Sequence, residues 1–315
     1  MTRFRQWAGR ALYRCYYKPR GKVEQIIKSG GLRATWANAS GQRAMEAAAR
    51  QLPTPSSPDA TAPNEFHLLT GRRFWYQSAF CLYSFSHYAE RPVAPIFYND
   101  GSLRPEDSAQ LQRLFPRARF VGTHDAAQQL EKYLPRNQFP MLRERWDNYL
   151  NLRKLIDPHL GATGWKLVID SDLLFFHAPN FLVRWIDAPT QPLHTVDSET
   201  SYGYSPALLA ELAGTEIAPR INVGLCGLKS DEIDWQKLEY WTRTLIEREG
   251  THYYLEQALV ALLIAGRKCA VAPESEYVTL PRPPEAMECR AVMHHYVADS
   301  KRWYFQQNWR KLVHP

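Results

Sequence analysis

From residue 64 onward, short apolar runs alternate with longer segments of mixed polarity. Phe66–Thr70, FHLLT, reads as a strand closed by a turn at Thr70-Gly71. Val93–Tyr98 reads as a second strand, ending in Asn99-Asp100-Gly101, and Arg119–Val121 as a short third. Lys166, Leu167, Val168 and Ile169 form a short buried strand, and Leu193–Val196 and Ala291–Met293 are strand-like. The intervening segments carry helical signals. Pro105–Leu114 opens on proline and has acidic residues in its first turn, which suits a helix start. Asp125–Leu134, Trp146–Ile156, Asn180–Ile186, Ser205–Leu212 and Trp235–Arg248 read as further helices. Tyr253–Ala265 has a nearly continuous apolar body and must be buried. Ala44–Leu52 and Gln306–Val313 are helices outside this alternation. Strands alternating with helices predict an α/β domain on a mainly parallel, twisted sheet.

Leu52–Pro63, LPTPSSPDATAP, reads as an extended linker or surface loop. It predicts a boundary near Asn64: a partly helical extension over 1–63 and one catalytic-sized domain over 64–315. With 45% hydrophobic residues, the 315-residue chain can bury a substantial core. The net charge of +7 is concentrated at one end. Nine basic residues lie between Arg3 and Arg33, against Glu24 alone. Phe4, Trp7, Leu12, Tyr13, Tyr16 and Tyr17 are interleaved with them. A basic segment with aromatic residues suits an anionic membrane surface, or else a solvated extension packed on the domain. Nucleic acid is disfavoured, because no stacking or zinc motif accompanies the charge.

Trp7–Leu12 is too short and too charged for a signal-peptide core, and no run of about 18 apolar residues could span a bilayer. Cys15, Cys81, Cys226, Cys269 and Cys289 are odd in number, without C-x-x-C spacing, and read as reduced structural thiols. The expectation is a cytoplasmic protein, peripheral at most to the inner face of a membrane.

The candidate chemistry sits in WKLVIDSDLLFF, Trp165–Phe176. Asp170-Ser171-Asp172 interrupts an otherwise apolar segment at the end of a strand. Ionised carboxylates there need water, cations or donors. In an open α/β sheet, strand carboxyl ends open on the ligand crevice. Two carboxylates at that place are suited to hold Mg²⁺ or Mn²⁺ against a diphosphate. Taken alone, Asp170 could equally cap a turn and Asp172 be solvated. A second segment, MHHYVADSKRW over Met293–Trp303, sets His295 one short loop ahead of Lys301. An imidazole can complete a metal's coordination shell, and a lysine can neutralise a departing phosphate.

Together these segments resemble the GT-A glycosyltransferases, most closely the retaining family 8 type. That family has a D-x-D at a strand end and a C-terminal H-x-x-G-x-x-K-P-W signature. His295, Lys301 and Trp303 fall on its spacing, while Ala298 stands for the glycine and Arg302 for the proline. The resemblance spans most of Phe66–Trp303. It implies Asp170, Asp172 and His295 as metal ligands, with Lys301 on the diphosphate. It implies donor contacts from Thr70, Gly71, Asp100, Arg153, Asp170, Ser171 and Asn222, the last within Ile221-Asn222-Val223-Gly224. Glu256-Gln257 resembles the pair lying at the reacting sugar, and Asp197 could match the acidic residue that reads sugar hydroxyls.

The implied function is metal-dependent transfer of a sugar from a nucleotide-sugar, by default a UDP-hexose, with retention. The acceptor would be a glycan or a lipid-linked saccharide. The implied cofactor is Mn²⁺ or Mg²⁺. Three other readings compete. A nucleotidyltransferase would show a basic, Gly-rich loop, of which Thr70-Gly71-Arg72-Arg73 is only a faint echo. A phosphatase of the haloacid dehalogenase type wants Thr or Val where Leu174 stands. A catalytically silent GT-A-like scaffold would have no use for an intact Asp170, Asp172, His295 and Lys301.

Overall fold

The computed structural model describes residues 31–55 and 64–313. The basic segment up to Gly30 and most of the Pro-rich linker lie outside the described residues. In chain order the elements are α1 (Gly31–Ala49), β1 (Asn64–Thr70), α2 (Trp75–Ala89), β2 (Val93–Asn99), α3 (Pro105–Leu114) and β3 (Arg119–Val121). There follow α4 (Thr123–Tyr133), α5 (Pro140–Asn148), α6 (Leu152–Ile156), β4 (Trp165–Ile169), β5 (Leu173–Phe175), α7 (Asn180–Asp187) and β6 (Leu193–Val196). The chain continues through α8 (Pro206–Ala213), β7 (Ile221–Lys229), α9 (Trp235–Glu249), α10 (Leu255–Ile264), β8 (Ala270–Val271) and β9 (Tyr277–Thr279). It closes with α11 (Glu285–Glu288), β10 (Met293–His295) and α12 (Lys301–Gln306).

Seven strands form one sheet in the order β3-β2-β1-β4-β7-β6-β8. Its first four strands are parallel, as are β6 and β8, whereas β7 runs antiparallel to β4 and to β6. The fold is thus the expected mixed α/β structure on a mainly parallel sheet, with helices on both faces. Two apolar layers cover it. One packs α2 and the C-terminal segment on the sheet through Phe66, Phe80, Phe85, Phe97 and Trp309. The other packs α5, α6, α9 and α10 through Leu142, Ile156, Leu238 and Leu259. Burial of α10 on nearly all sides explains its apolar run after Gln257, since a helix without a solvent face keeps no polar stripe.

Three features position the site. First, β4 ends at Ile169, so Asp170-Ser171-Asp172 leave the sheet between β4 and β5. Second, β5, β10 and β9 form a small second sheet in which His295 pairs with Leu173. The Tyr296 amide also donates to the Asp172 carbonyl at 3.0 Å. Third, α1 packs on α12 at Gly41, where a Cβ would meet the Phe305 carbonyl. Met45 and Ala49 of α1 are fully buried in the first layer, so residues 31–49 share the core of the domain that follows.

Several boundaries differ from the sequence expectation. Trp146–Ile156 is not one helix: α5 ends at Asn148 and α6 begins at Leu152. Contacts across this break hold it, as Trp146 Nε1 donates to Asp157 and the Tyr149 hydroxyl to the Tyr253 carbonyl. The strand near Ala291–Met293 is displaced to Met293–His295, where both histidines are buried and hydrogen-bonded. Gln306–Val313 is a short 3₁₀ segment over Asn308–Leu312, fixed by Asn308 Nδ2 donating to the Ala286 carbonyl and the Tyr296 hydroxyl.

Candidate active site

Asp170, Asp172 and His295 converge at the carboxyl end of β4, with one ligand atom of each within 4.8 Å of the others. His295 Nε2 lies 3.4 Å from Asp172 Oδ1 and 3.7 Å from Asp170 Oδ2. A divalent ion with ligands about 2.1 Å away in octahedral array separates neighbouring donors by about 3 Å. The observed spacing and the donor set of two carboxylates and one imidazole fit such an ion.

Behind these ligands lies a polar chain that sets the state of the imidazole. His295 Nδ1 donates to Asn222 Oδ1 at 3.1 Å, leaving Nε2 facing the aspartates. Asn222 Oδ1 also accepts from the Gly224 amide at 3.0 Å and from Thr195 Oγ1 at 3.2 Å. Asn222 Nδ2 donates to Asp197 Oδ2 at 3.2 Å, and Gln257 Nε2 donates to the same oxygen at 3.1 Å. Gln257 Nε2 reaches the Ser201 carbonyl as well, at 2.9 Å. Asn222, Asp197 and Gln257 are thus joined to His295 in one network rather than standing apart. Gly224 allows the close approach, because a Cβ there would fall on the His295 ring.

Two lysines neutralise the carboxylates from outside. Lys301 Nζ is 3.0 Å from Asp172 Oδ2. Lys154 Nζ is 2.8 Å from Asp170 Oδ1 and 3.3 Å from Glu256 Oε2. Burial alone would raise the Asp172 pKa, but Lys301 and His295 hold it well below the usual carboxylate range. Burial likewise opposes charge on His295 and on Lys154, yet the neighbouring carboxylates raise both above their ordinary values. Asp172 is the first cause raising Lys301. Glu256 moves the other way from Asp172: its burial pushes the carboxyl up to about 7, against the pull of Lys154.

These groups line one cavity of about 380 Å³, whose wall includes Asp172, Asn222, Gln257, His295 and Lys301. Other expected residues sit elsewhere. Arg153 does not line the cavity. Its guanidinium stacks on Trp146, pairs with Asp157 at 3.1 Å and donates to the Asn99 carbonyl at 2.9 Å. Lys154, one residue on, takes the place at the carboxylates. Thr70, Gly71 and Asp100 cluster together at the ends of β1 and β2 and are not among the residues of that wall. Thr70 Oγ1 bonds Ser78 Oγ at 3.0 Å, and the Asp100 carboxylate lies over Gly71, where any Cβ would strike it. Ser171 contributes its carbonyl to the Tyr304 hydroxyl at 3.3 Å. The linear sequence pattern singles out neither Lys154 nor the exposed Tyr253. The available signal for Lys154 was its position beside Arg153, which the break between α5 and α6 turns into a different facing.

No protein-family model matches the chain, and no curated protein sequence is similar to it. Solved structures are. The apo form of mouse xyloside xylosyltransferase 1 superposes with a TM-score of 0.51 at 12% identity, over 75% of this chain and 98% of that one. The galactosyltransferase LgtC, solved with donor and acceptor sugar analogs, gives a TM-score of 0.51 at 11% identity. That match covers 79% of this chain and 95% of LgtC. An active-site mutant of LgtC matches over the same shares, with a TM-score of 0.50 at 11% identity. At such identities the likeness is one of architecture, and by that measure the chain has the GT-A fold.

Proposed function

We propose that the protein is a metal-dependent glycosyltransferase that moves a sugar from a nucleotide-sugar, by default a UDP-hexose, to a saccharide acceptor with retention. The observation that carries this reading is the convergence of Asp170, Asp172, His295 and Lys301 on one cavity in a GT-A fold. The chain lacks the basic, Gly-rich loop that a nucleotidyltransferase would show, and it carries Leu174 where a haloacid dehalogenase phosphatase wants Thr or Val. Asp170, Asp172 and His295 would hold Mn²⁺ or Mg²⁺. Such an ion, when bound, supplies positive charge to the leaving diphosphate.

The residues of the chain divide the remaining work. Lys301 places its ammonium where negative charge grows as the bond from the sugar C1 to the phosphate oxygen breaks. The acceptor hydroxyl forms the new bond to C1 on the same face, and its proton passes to the released phosphate oxygen. No strong protein base is needed for that transfer. Gln257 gives its amide hydrogens to Asp197 and Ser201. Among the described residues its Oε1 accepts no hydrogen bond, which leaves that oxygen to face the positive charge developing on the sugar ring. Asn222 orients His295, and Lys154 keeps Asp170 and Glu256 from repelling one another.

The test is calorimetric titration of UDP with and without Mn²⁺, followed by a screen of UDP-sugars for release of UDP. Tight, Mn²⁺-dependent UDP binding that Asp172→Asn removes is the expected result. UDP binding indifferent to Mn²⁺ and to Asp172→Asn overturns the reading.

A further inference from the structure

We propose that Tyr253 is a stacking platform for the acceptor, and that the acceptor presents an uncharged sugar ring to it. This rests on the glycosyltransferase reading and extends it to the second substrate.

Tyr253 is 71% exposed, and with the 40% exposed Tyr254 it forms part of the cavity wall. The two rings meet edge to face, 5.3 Å apart. A single exposed aromatic residue needs no account of its own. This one differs because the backbone that carries it is fixed. The Tyr149 hydroxyl donates to the Tyr253 carbonyl. His252 packs against Gly203, where a Cβ would stand 2.8 Å from the His252 Cβ, and against the Tyr204 ring at 4.9 Å. The Leu255 amide then donates to the His252 carbonyl at 3.3 Å, at the entry to α10. A rigid backbone that offers an uncovered aromatic face beside a reactive cavity is built for a partner that covers it. Such a ring has few rotamers to lose on binding.

The charge around the cavity decides the partner's class. Beyond Asp170 and Asp172, which the proposed cation would neutralise, and Glu256, which Lys154 pairs, Asp197 and Glu199 line it. Among the described lining residues the lysines are Lys154, paired with Asp170 and Glu256, and Lys301, which the proposed reaction turns to the leaving diphosphate. Glu199 is exposed. A phosphorylated or carboxylate-bearing acceptor would meet this acidity with no unspent lysine to offset it. An uncharged pyranose instead lays its C–H face on the tyrosine, and its hydroxyls donate to carboxylates such as Glu199.

The experiment is saturation-transfer NMR on the full chain with UDP and Mg²⁺. The probes are methyl β-galactopyranoside and methyl β-glucopyranoside, set against methyl β-glucuronide and glucose 6-phosphate. The neutral glycosides are expected to bind and the two anions not. Tyr253→Ala should weaken the neutral probes by about tenfold, the worth of one aromatic contact, while Tyr253→Phe retains them. Equal binding by Tyr253→Ala overturns the proposal, as does preference for the anions or no binding by either neutral glycoside. UDP affinity, measured on the same samples, reports the underlying reading. UDP that binds normally while the sugar signals ignore Tyr253 overturns the platform alone. UDP that fails to bind overturns the glycosyltransferase reading, and the platform with it.

Discussion

Gly224→Ala should cripple the proposed metal site without replacing any of its three candidate ligands. A methyl group at residue 224 would stand 2.6 Å from His295 Nδ1 and 2.9 Å from Nε2, and closer still to Cε1. Ordinary contact begins at 3.4 Å, so the ring must retreat by about 0.8 Å at Nδ1. The backbone is held on the β4 side, where the Asp170 amide donates to the Gly224 carbonyl at 2.7 Å, and the Gly224 amide is itself bound to Asn222 Oδ1 at 3.0 Å. Retreat stretches the 3.1 Å bond from Nδ1 to Asn222, which aims Nε2 at the aspartates. Losing a contact that orients a metal ligand typically costs about 10–100-fold in metal affinity. Overpacking should also remove about 1–3 kcal/mol of stability. Both are measurable, by calorimetric titration of Mn²⁺ and by denaturant unfolding. Gly227→Ala is the control: it lies on the same strand, but its methyl group would strike Trp185. It should destabilise comparably and leave Mn²⁺ affinity within about twofold of the parent. If Gly224→Ala binds Mn²⁺ as tightly as the parent, His295 is not a ligand in the way its geometry indicates.

Lys301→Ala should lower turnover about a hundred-fold or more while changing donor affinity far less, because its charge matters most as the phosphate leaves. Steady-state kinetics showing normal turnover with only a raised KM would place Lys301 in ground-state binding. His159 is buried against Ser230 Oγ at 3.0 Å, and burial pushes its pKa down to about 3. The unfolded chain takes up a proton near pH 6.5 that the folded chain refuses, so stability is lost as pH falls below that value. His159→Asn, which keeps an acceptor for Ser230, should flatten the loss between pH 6.5 and 4.5 by about 2 kcal/mol, and an unchanged slope would count against it. Ala298 occupies the left-handed region at φ 46°, where glycine sits without strain. Ala298→Gly should raise thermal stability by up to about 1 kcal/mol, the relief of strain less the entropy gained by the unfolded chain. A lowered Tm would show that the loop carries no such strain.

Much of this architecture was legible in the order of residues. Leu193–Val196, Arg119–Val121 and Pro105–Leu114 coincide with observed elements, because local pattern and tertiary burial demand the same conformation there. The glycine expected at residue 298 has a physical counterpart in the positive φ of Ala298. What could not be read was facing. Leu152-Arg153-Lys154 contains two cations, and only the break at Tyr149–Asn151 determines which meets Asp170. That break rests on a hydrogen bond from Tyr149 to Tyr253, about a hundred residues downstream in the chain. The resemblance implies a donor contact from Asn222, which does line the cavity. In the structure its Oδ1 accepts from three donors within the protein and its Nδ2 meets Asp197, a saturation no linear pattern displays.

The pairing of β5 with β10 bears on how the protein is made. Asp172 and His295 are neighbours only because Leu173 and His295 share a rung of the small sheet. A ribosome delivers the amino end first, so the seven-stranded sheet through β8 can assemble while β10 is still unsynthesised. During that interval Asp170 and Asp172 sit at a strand end with neither His295 nor Lys301 beside them. The candidate cation site therefore closes only after β8, once the segment through His295 and Lys301 has been made. A chain stopped before Met293 could carry most of the sheet and still lack half of the residues that define the site.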